Sequence, residues 1–104
     1  MILVIGRVRC ADEQRDELVS LLETMQTESR REDGCLRYGF FAAVEDTLSF
    51  VAVEEWRDRE TLDRHFGQPH LHEFTRALLE RVSERPEVAI HEVLDTQPFP
   101  GSAS

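Results

Sequence analysis

The chain has 104 residues and a mass of 12.0 kDa, with 40% hydrophobic and 32% charged residues, which is enough for one compact core and too few for two. Twelve basic residues stand against 21 acidic ones, and the formal charge of -9 disfavours binding to phosphate backbones or to an anionic membrane surface. Every basic residue is Arg and the chain contains neither Lys nor Asn, so lysine Schiff-base chemistry and any mechanism that needs an Asn side chain are excluded.

Ile2 to Arg9 (ILVIGRVR) is rich in β-branched residues and predicts a first strand, with Ile2, Val4 and Val8 on one face and Leu3 and Ile5 on the other. Apolar residues on both sides point to a sheet covered on both faces. Asp12 is placed to cap a helix with Glu13 at its positive end, Leu18, Leu21, Leu22 and Met25 supply the apolar stripe, and Asp33-Gly34 stops it near residue 31. Cys35 to Ala43 and Leu48 to Trp56 are β-prone runs joined by a loop of hairpin length, Val44-Glu45-Asp46-Thr47. Asp58 opens a short helix with Leu62, His65 and Phe66 on one stripe. Pro69 starts another helix, in which Leu71, Phe74, Leu78 and Val82 align and which Pro86 breaks. Val88 to Leu94 predicts the last strand; residues 1–95 are expected to form a single domain and 96–104 a flexible C-terminal tail.

This order is the α+β, ferredoxin-like βαββαβ arrangement, in which helices cover one face of a four-stranded antiparallel sheet. Drying the apolar residues of the open face predicts a homodimer that packs sheet against sheet. Two cysteines are far below the density of small secreted domains, so free thiols and a cytoplasmic location are expected. Cys10 and Cys35 fall at opposite ends of the predicted sheet, which argues against a disulfide or redox pair. The apolar opening Met1 to Ile5 is too short for a signal-peptide core or a membrane span.

Val53 to Phe74 gathers the single Trp, three of the four His and two Phe in 22 residues. Strand alternation places Phe50, Ala52, Glu54 and Trp56 on one face, and helical spacing places His65 beside Leu62 and Phe66. If that strand face is the helix-covered one, Glu54, Trp56 and His65 share a space in which an imidazole can serve as general base. Each residue also has a purely structural reading: His65 and Trp56 as core packing, Glu54 as a solvated strand end or an Arg partner. Tyr38 and Phe40 share a strand face and extend the aromatic lining, with core packing the alternative. His70 and His72 are two apart on a helix and point different ways, which argues against a metal site, and His91 reads as a surface or dimer residue. The chain has no GxGxxG, GxSxG or CxxC motif and no Gly-rich phosphate loop.

Asp33-Gly34-Cys35-Leu36-Arg37-Tyr38, Glu54-Glu55-Trp56-Arg57-Asp58, His65-Phe66 and Pro69-His70 with Phe74 carry a GCxxY strand start, an ExW strand end and an H-x(4)-H helical region. The pattern resembles the antibiotic biosynthesis monooxygenase (ABM) domain family over residues 2–94. The resemblance implies a dimeric α+β barrel and an activity drawn from three branches: cofactor-independent monooxygenases of quinols and aromatic polyketides, haem-degrading enzymes, and a sugar-phosphate isomerase. The haem-degrading branch relies on an Asn in the first strand, and this chain has none. The expected function is therefore oxidation of a small aromatic substrate by dioxygen without a cofactor or metal, in a homodimer. His65, Glu54 and Trp56 form the expected catalytic group, and Tyr38, Phe40, Phe66, His70 and Phe74 the expected substrate pocket. A dimer that binds an aromatic ligand without turnover is the alternative from another class, and a haem-binding or haem-degrading protein or an isomerase are the alternatives that the resemblance leaves within the family.

Overall fold

Alternation along the strands decides which side of the sheet is covered. The computed structural model describes residues 1–101. In β3 (Ser49–Trp56) the residues Phe50, Ala52, Glu54 and Trp56 are buried in strict alternation, the period of a strand whose one face lies under helices. β1 (Ile2–Arg9) and β2 (Cys35–Ala42) flank it, and β4 (Glu87–Glu92) pairs with the far side of β1, so the antiparallel order is β2-β3-β1-β4. With α1 (Arg15–Ser29), α2 (Arg59–Phe66) and α3 (Pro69–Leu79), this is the ferredoxin-like α+β fold, its second helical region divided in two. The core joins Leu18, Leu22 and Met25 of α1, Leu62 of α2, and Phe74 and Leu78 of α3 to Ile2, Val4, Tyr38, Phe50 and Trp56 of the sheet. Among the described residues, no helix is long and apolar enough to cross a membrane.

Several element ends differ from the sequence expectation. Asp12 does not cap α1: residues 11–14 form a turn, with Glu13 at φ 69°, and Gln14 precedes the helix without a side-chain cap bond. The helix ends at Ser29, well before Asp33-Gly34, because two successive turns (Glu32 N to Ser29 O, Cys35 N to Glu32 O) already redirect the chain. α3 stops at Leu79 rather than at Pro86. Val82 leaves the helical stripe and makes a β-bridge to Cys10, which draws the backbone out of helix. β4 begins one residue earlier than expected, at Glu87, and ends two earlier, at Glu92, leaving Leu94 fully solvent-exposed. Residues 93–101 have no regular strand or helix, and the last three positions of the expected tail, 102–104, lie outside the described residues.

Other signals act as read. Asp58 caps α2 in a capping box, accepting from Thr61 N at 2.9 Å, and Pro69 occupies the first turn of α3. Cys10 and Cys35 are both free and lie at opposite ends of the sheet. A bulge between Cys35 and Arg37 reconciles the odd spacing of Cys35 and Tyr38, which pair with Trp56 and Glu54 of the same β3 face.

Gly34 has a positive φ of 87°, and a Cβ there would collide with the Thr61 side chain, itself part of the α2 cap. Gly34→Ala is therefore expected to cost about 2 kcal/mol or more. Gly67, at φ -90° with only a 3.6 Å neighbour for an added Cβ, should tolerate Ala with little change. Urea denaturation of the two variants checks this, and equal stability would refute the role given to Gly34.

Candidate functional site

The site forms where β3 runs into α2. Strand alternation turns Glu54 and Trp56 toward the helices, and the Asp58 cap sets the start of α2 so that Thr61, Leu62 and His65 face the sheet. The His65 and Trp56 rings meet at 4.6 Å between centroids, tilted by 36°, and Tyr38 approaches His65 edge-on at 5.7 Å. His65 is 2% exposed.

Hydrogen bonds define the protonation pattern. Glu32 Oε2 lies 2.7 Å from His65 Nδ1 and 2.8 Å from His70 Nε2, so one carboxylate oxygen accepts from both imidazoles. Burial lowers the His65 pKa, against the hydrogen bond and charge of Glu32, which raise it. A neutral ring with its N–H directed at Glu32 presents the Nε2 lone pair on the other side, 3.9 Å from Glu54 Oε1. Glu54 in turn accepts from the Trp56 indole N–H at 3.0 Å. Burial pushes the Glu54 carboxyl up to about 7; the indole bond opposes this and the charge of Glu32 adds to it. Burial, reinforced by Glu54, drives the Tyr38 hydroxyl strongly upward, so it stays protonated. The thiols are held away from reactivity: burial raises the Cys10 pKa and takes Cys35 to about 11.

A cleft of about 590 Å³ opens from this polar corner between the sheet and α2 and α3. Its floor includes Val4, Gly6 and Ala52; Phe66, Leu71, Phe74 and Leu78 form the helical wall, and Val88 and Ile90 of β4 the exposed rim. Gly6 and Ala52 are register partners, and their lack of bulk leaves the space. Of the expected site residues, Tyr38, Phe40, Glu54, His65, Phe66 and Phe74 line this cleft. Trp56 does not: it is wholly buried, stacked behind His65, and reaches the cleft only through Glu54. His70 points away from the cleft, to Glu32. Sequence reasoning missed Glu32, whose one local signal is its place directly before the Asp33-Gly34-Cys35 run.

Residues 1–77 match the family model for antibiotic biosynthesis monooxygenase. The chain belongs to this family. It is 32% identical over 96 residues to sll1783 of Synechocystis sp., a protein described as uncharacterised, covering 92% of this chain and 65% of that protein, so the chain spans just under two thirds of this relative's length. Rv0793 of Mycobacterium tuberculosis, named provisionally as a monooxygenase, is 38% identical over 69 residues, 66% of this chain and 67% of that one. Its structure superposes with a TM-score of 0.86 at 30% identity, over 93% of this chain and 98% of Rv0793. A family structure from Deinococcus radiodurans reaches 0.90 at 22% identity, over 95% and 98% of the two chains, and shows the shared fold.

The raised Glu54 carboxyl has a consequence for stability. The folded state retains a proton that the unfolded chain releases, so stability falls as pH rises from about 4.5 to about 7 and levels off above. Glu54→Gln removes this penalty, a gain of up to about 3 kcal/mol at pH 8 and close to none at pH 4.5. Chemical denaturation of parent and variant at the two pH values measures the difference, and equal increments at both would contradict it.

Proposed function

We propose that the chain is a cofactor-independent monooxygenase that oxidises a small quinol or polyketide-like hydroxyaromatic with dioxygen. The observation that carries this reading is the Nε2 lone pair of a buried, neutral His65 at the polar corner of a mostly apolar cleft, which Thr75 and Arg85 also line. Apolar walls select a flat aromatic body, and the polar corner receives its hydroxyl. His65 Nε2 takes the phenolic proton, Glu32 stabilises the resulting imidazolium through Nδ1, and Glu54 orients the hydroxyl or shares its proton. Trp56 acts indirectly, backing the imidazole and holding the Glu54 carboxyl.

The phenolate is the reductant. It passes one electron to dioxygen, the two radicals join at a ring carbon, and the imidazolium returns its proton to the peroxide. Loss of the proton on that carbon to His65 then forms a second C=O as the O–O bond breaks, and the expelled hydroxide takes the proton from the imidazolium. The sum is one hydroxyaromatic and one dioxygen giving one quinone and one water.

The opposite sheet face supports assembly as a homodimer. Leu3, Ile5, Val51 and Val53 form a partly buried apolar surface that no helix covers, and Phe41 beside them is 60% exposed. A second copy packed sheet to sheet would bury it. Sedimentation at micromolar concentration should give twice the 12.0 kDa chain mass, and a single-chain mass would refute the dimer.

Oxygen uptake with a panel of hydroquinones and phenols tests the reaction. His65→Ala should lower turnover by about 100-fold or more, the scale of a lost general base. Ala52→Leu, which fills the cleft floor, should weaken substrate binding while leaving the melting temperature nearly unchanged. Equal activity in the parent and His65→Ala would remove the base assignment; saturable aromatic binding without oxygen consumption would make the protein a ligand-binding dimer instead.

A further inference from the structure

We propose that Glu32, His65 and His70 form a binding site for a divalent transition-metal ion, with Glu32 Oε2, His65 Nδ1 and His70 Nε2 as its ligands. The site shares His65 and Glu32 with the proposed oxygenase but uses the side of His65 that faces away from the cleft. Three chain segments deliver the donors: the turn after α1, the last turn of α2 and the first turn of α3. The three ligand atoms lie within 4.8 Å of one another.

The present hydrogen bonds mark where the ion would go. Two ring N–H groups converge on one carboxylate oxygen at 2.7 and 2.8 Å, and an ion replaces both hydrogens by a change of tautomer in each ring. Around a tetrahedral ion with bonds near 2.1 Å the ligand atoms sit about 3.4 Å apart, so each imidazole–Glu32 pair opens by roughly 0.6 to 0.7 Å while the two imidazole nitrogens, within 4.8 Å of one another, settle at the same separation. The displaced hydrogen of His65 moves to Nε2, which faces Glu54 Oε1 at 3.9 Å. A carboxylate behind a ligating imidazole is the usual outer partner of a protein metal centre. His70, whose side chain is 25% exposed, provides the entry path, whereas His65 is sealed. Two imidazoles and one carboxylate suit Zn²⁺, Co²⁺ or Fe²⁺ rather than Mg²⁺ or Ca²⁺, and three protein ligands leave a coordination position free. An occupied site places N–H, not a lone pair, on the cleft side of His65, so metal-loaded and base-competent proteins are alternative states.

Titration calorimetry of the chelator-treated full chain with Zn²⁺, together with the visible spectrum of the Co²⁺ form, tests the site without any turnover. The parent should take up one ion per chain with Co²⁺ bands of nitrogen and oxygen ligation. His70→Ala and Glu32→Gln should each weaken binding by more than the about 10- to 100-fold that loss of an outer partner costs. His72→Ala, on an exposed position of the same helix, should bind as the parent does. Thermal melts confirm that His70→Ala, a partly exposed site, remains folded. No saturable uptake by the parent, or equal uptake by parent and His70→Ala, would overturn the proposal. Both readouts are independent of oxygen consumption, so a failed oxygenase assay and a failed metal site are separate results.

Discussion

One imidazole held between two carboxylates organises this protein. Glu32 fixes His65 on its Nδ1 side and Glu54 stands opposite Nε2, all inside the layer between sheet and helices. Burying such groups is costly unless each finds a partner, and here the Trp56 indole serves Glu54 while His70 joins Glu32. The same requirement accounts for the divided second helical region. On a continuous helix, residues five apart point about 140° away from each other. The break at Gly67-Gln68, closed by turns onto Arg64 O and His65 O and restarted by Pro69, lets His65 and His70 reach one oxygen.

Apolar and polar halves of the cavity arise from different features of the same sheet. The polar half comes from the last residues of β3, where alternation sends a carboxylate inward beside an indole. The apolar half comes from the middle of the sheet, where Gly6 faces Ala52 and, among the described residues, no side chain fills the space beneath α3. β4 completes it on the open side, where Val88 is 63% exposed.

Period and punctuation made the strands, the α2 cap and the Pro69 restart readable from sequence, because each depends on residues within a few positions. The parity of Glu54 and Trp56 was readable for the same reason. The end of α1 was not, since two successive turns onto the Ser29 and Glu32 carbonyls override a glycine signal five residues later. Glu32 was invisible for a deeper reason: one Glu among many acidic residues acquires its role only when a loop meets two helices that lie 33 and 38 residues further on. Spacing on one helix argued that the histidines diverge, and it did not anticipate that a helix break brings two of them together. Trp56 shows the opposite error of scale, as its parity was right but its depth, behind His65 instead of beside the cleft, depends on packing that no local pattern encodes.

The loop that carries Glu32 must be held firmly for the buried arrangement to persist, and its anchors lie at the surface. Arg57 and Arg64 both reach Asp33, at 3.2 and 3.6 Å, and Arg57 N donates to Gly34 O at 2.8 Å. Exposed ion pairs of this kind contribute little singly. Their value lies in geometry: the two arginines come from either side of the α2 cap, so they tie the loop to the helix that bears His65. Gly34 allows the loop to pass against Thr61 of that cap, where a Cβ would collide with the Thr61 side chain. Glycine, cap and ion pairs thus act on a single distance, that between a loop carboxylate and a helical imidazole. If the proposed oxygenase reaction holds, oxygen uptake should accordingly fall on substitution of Asp33 or Arg57, which touch neither the cleft nor the rings.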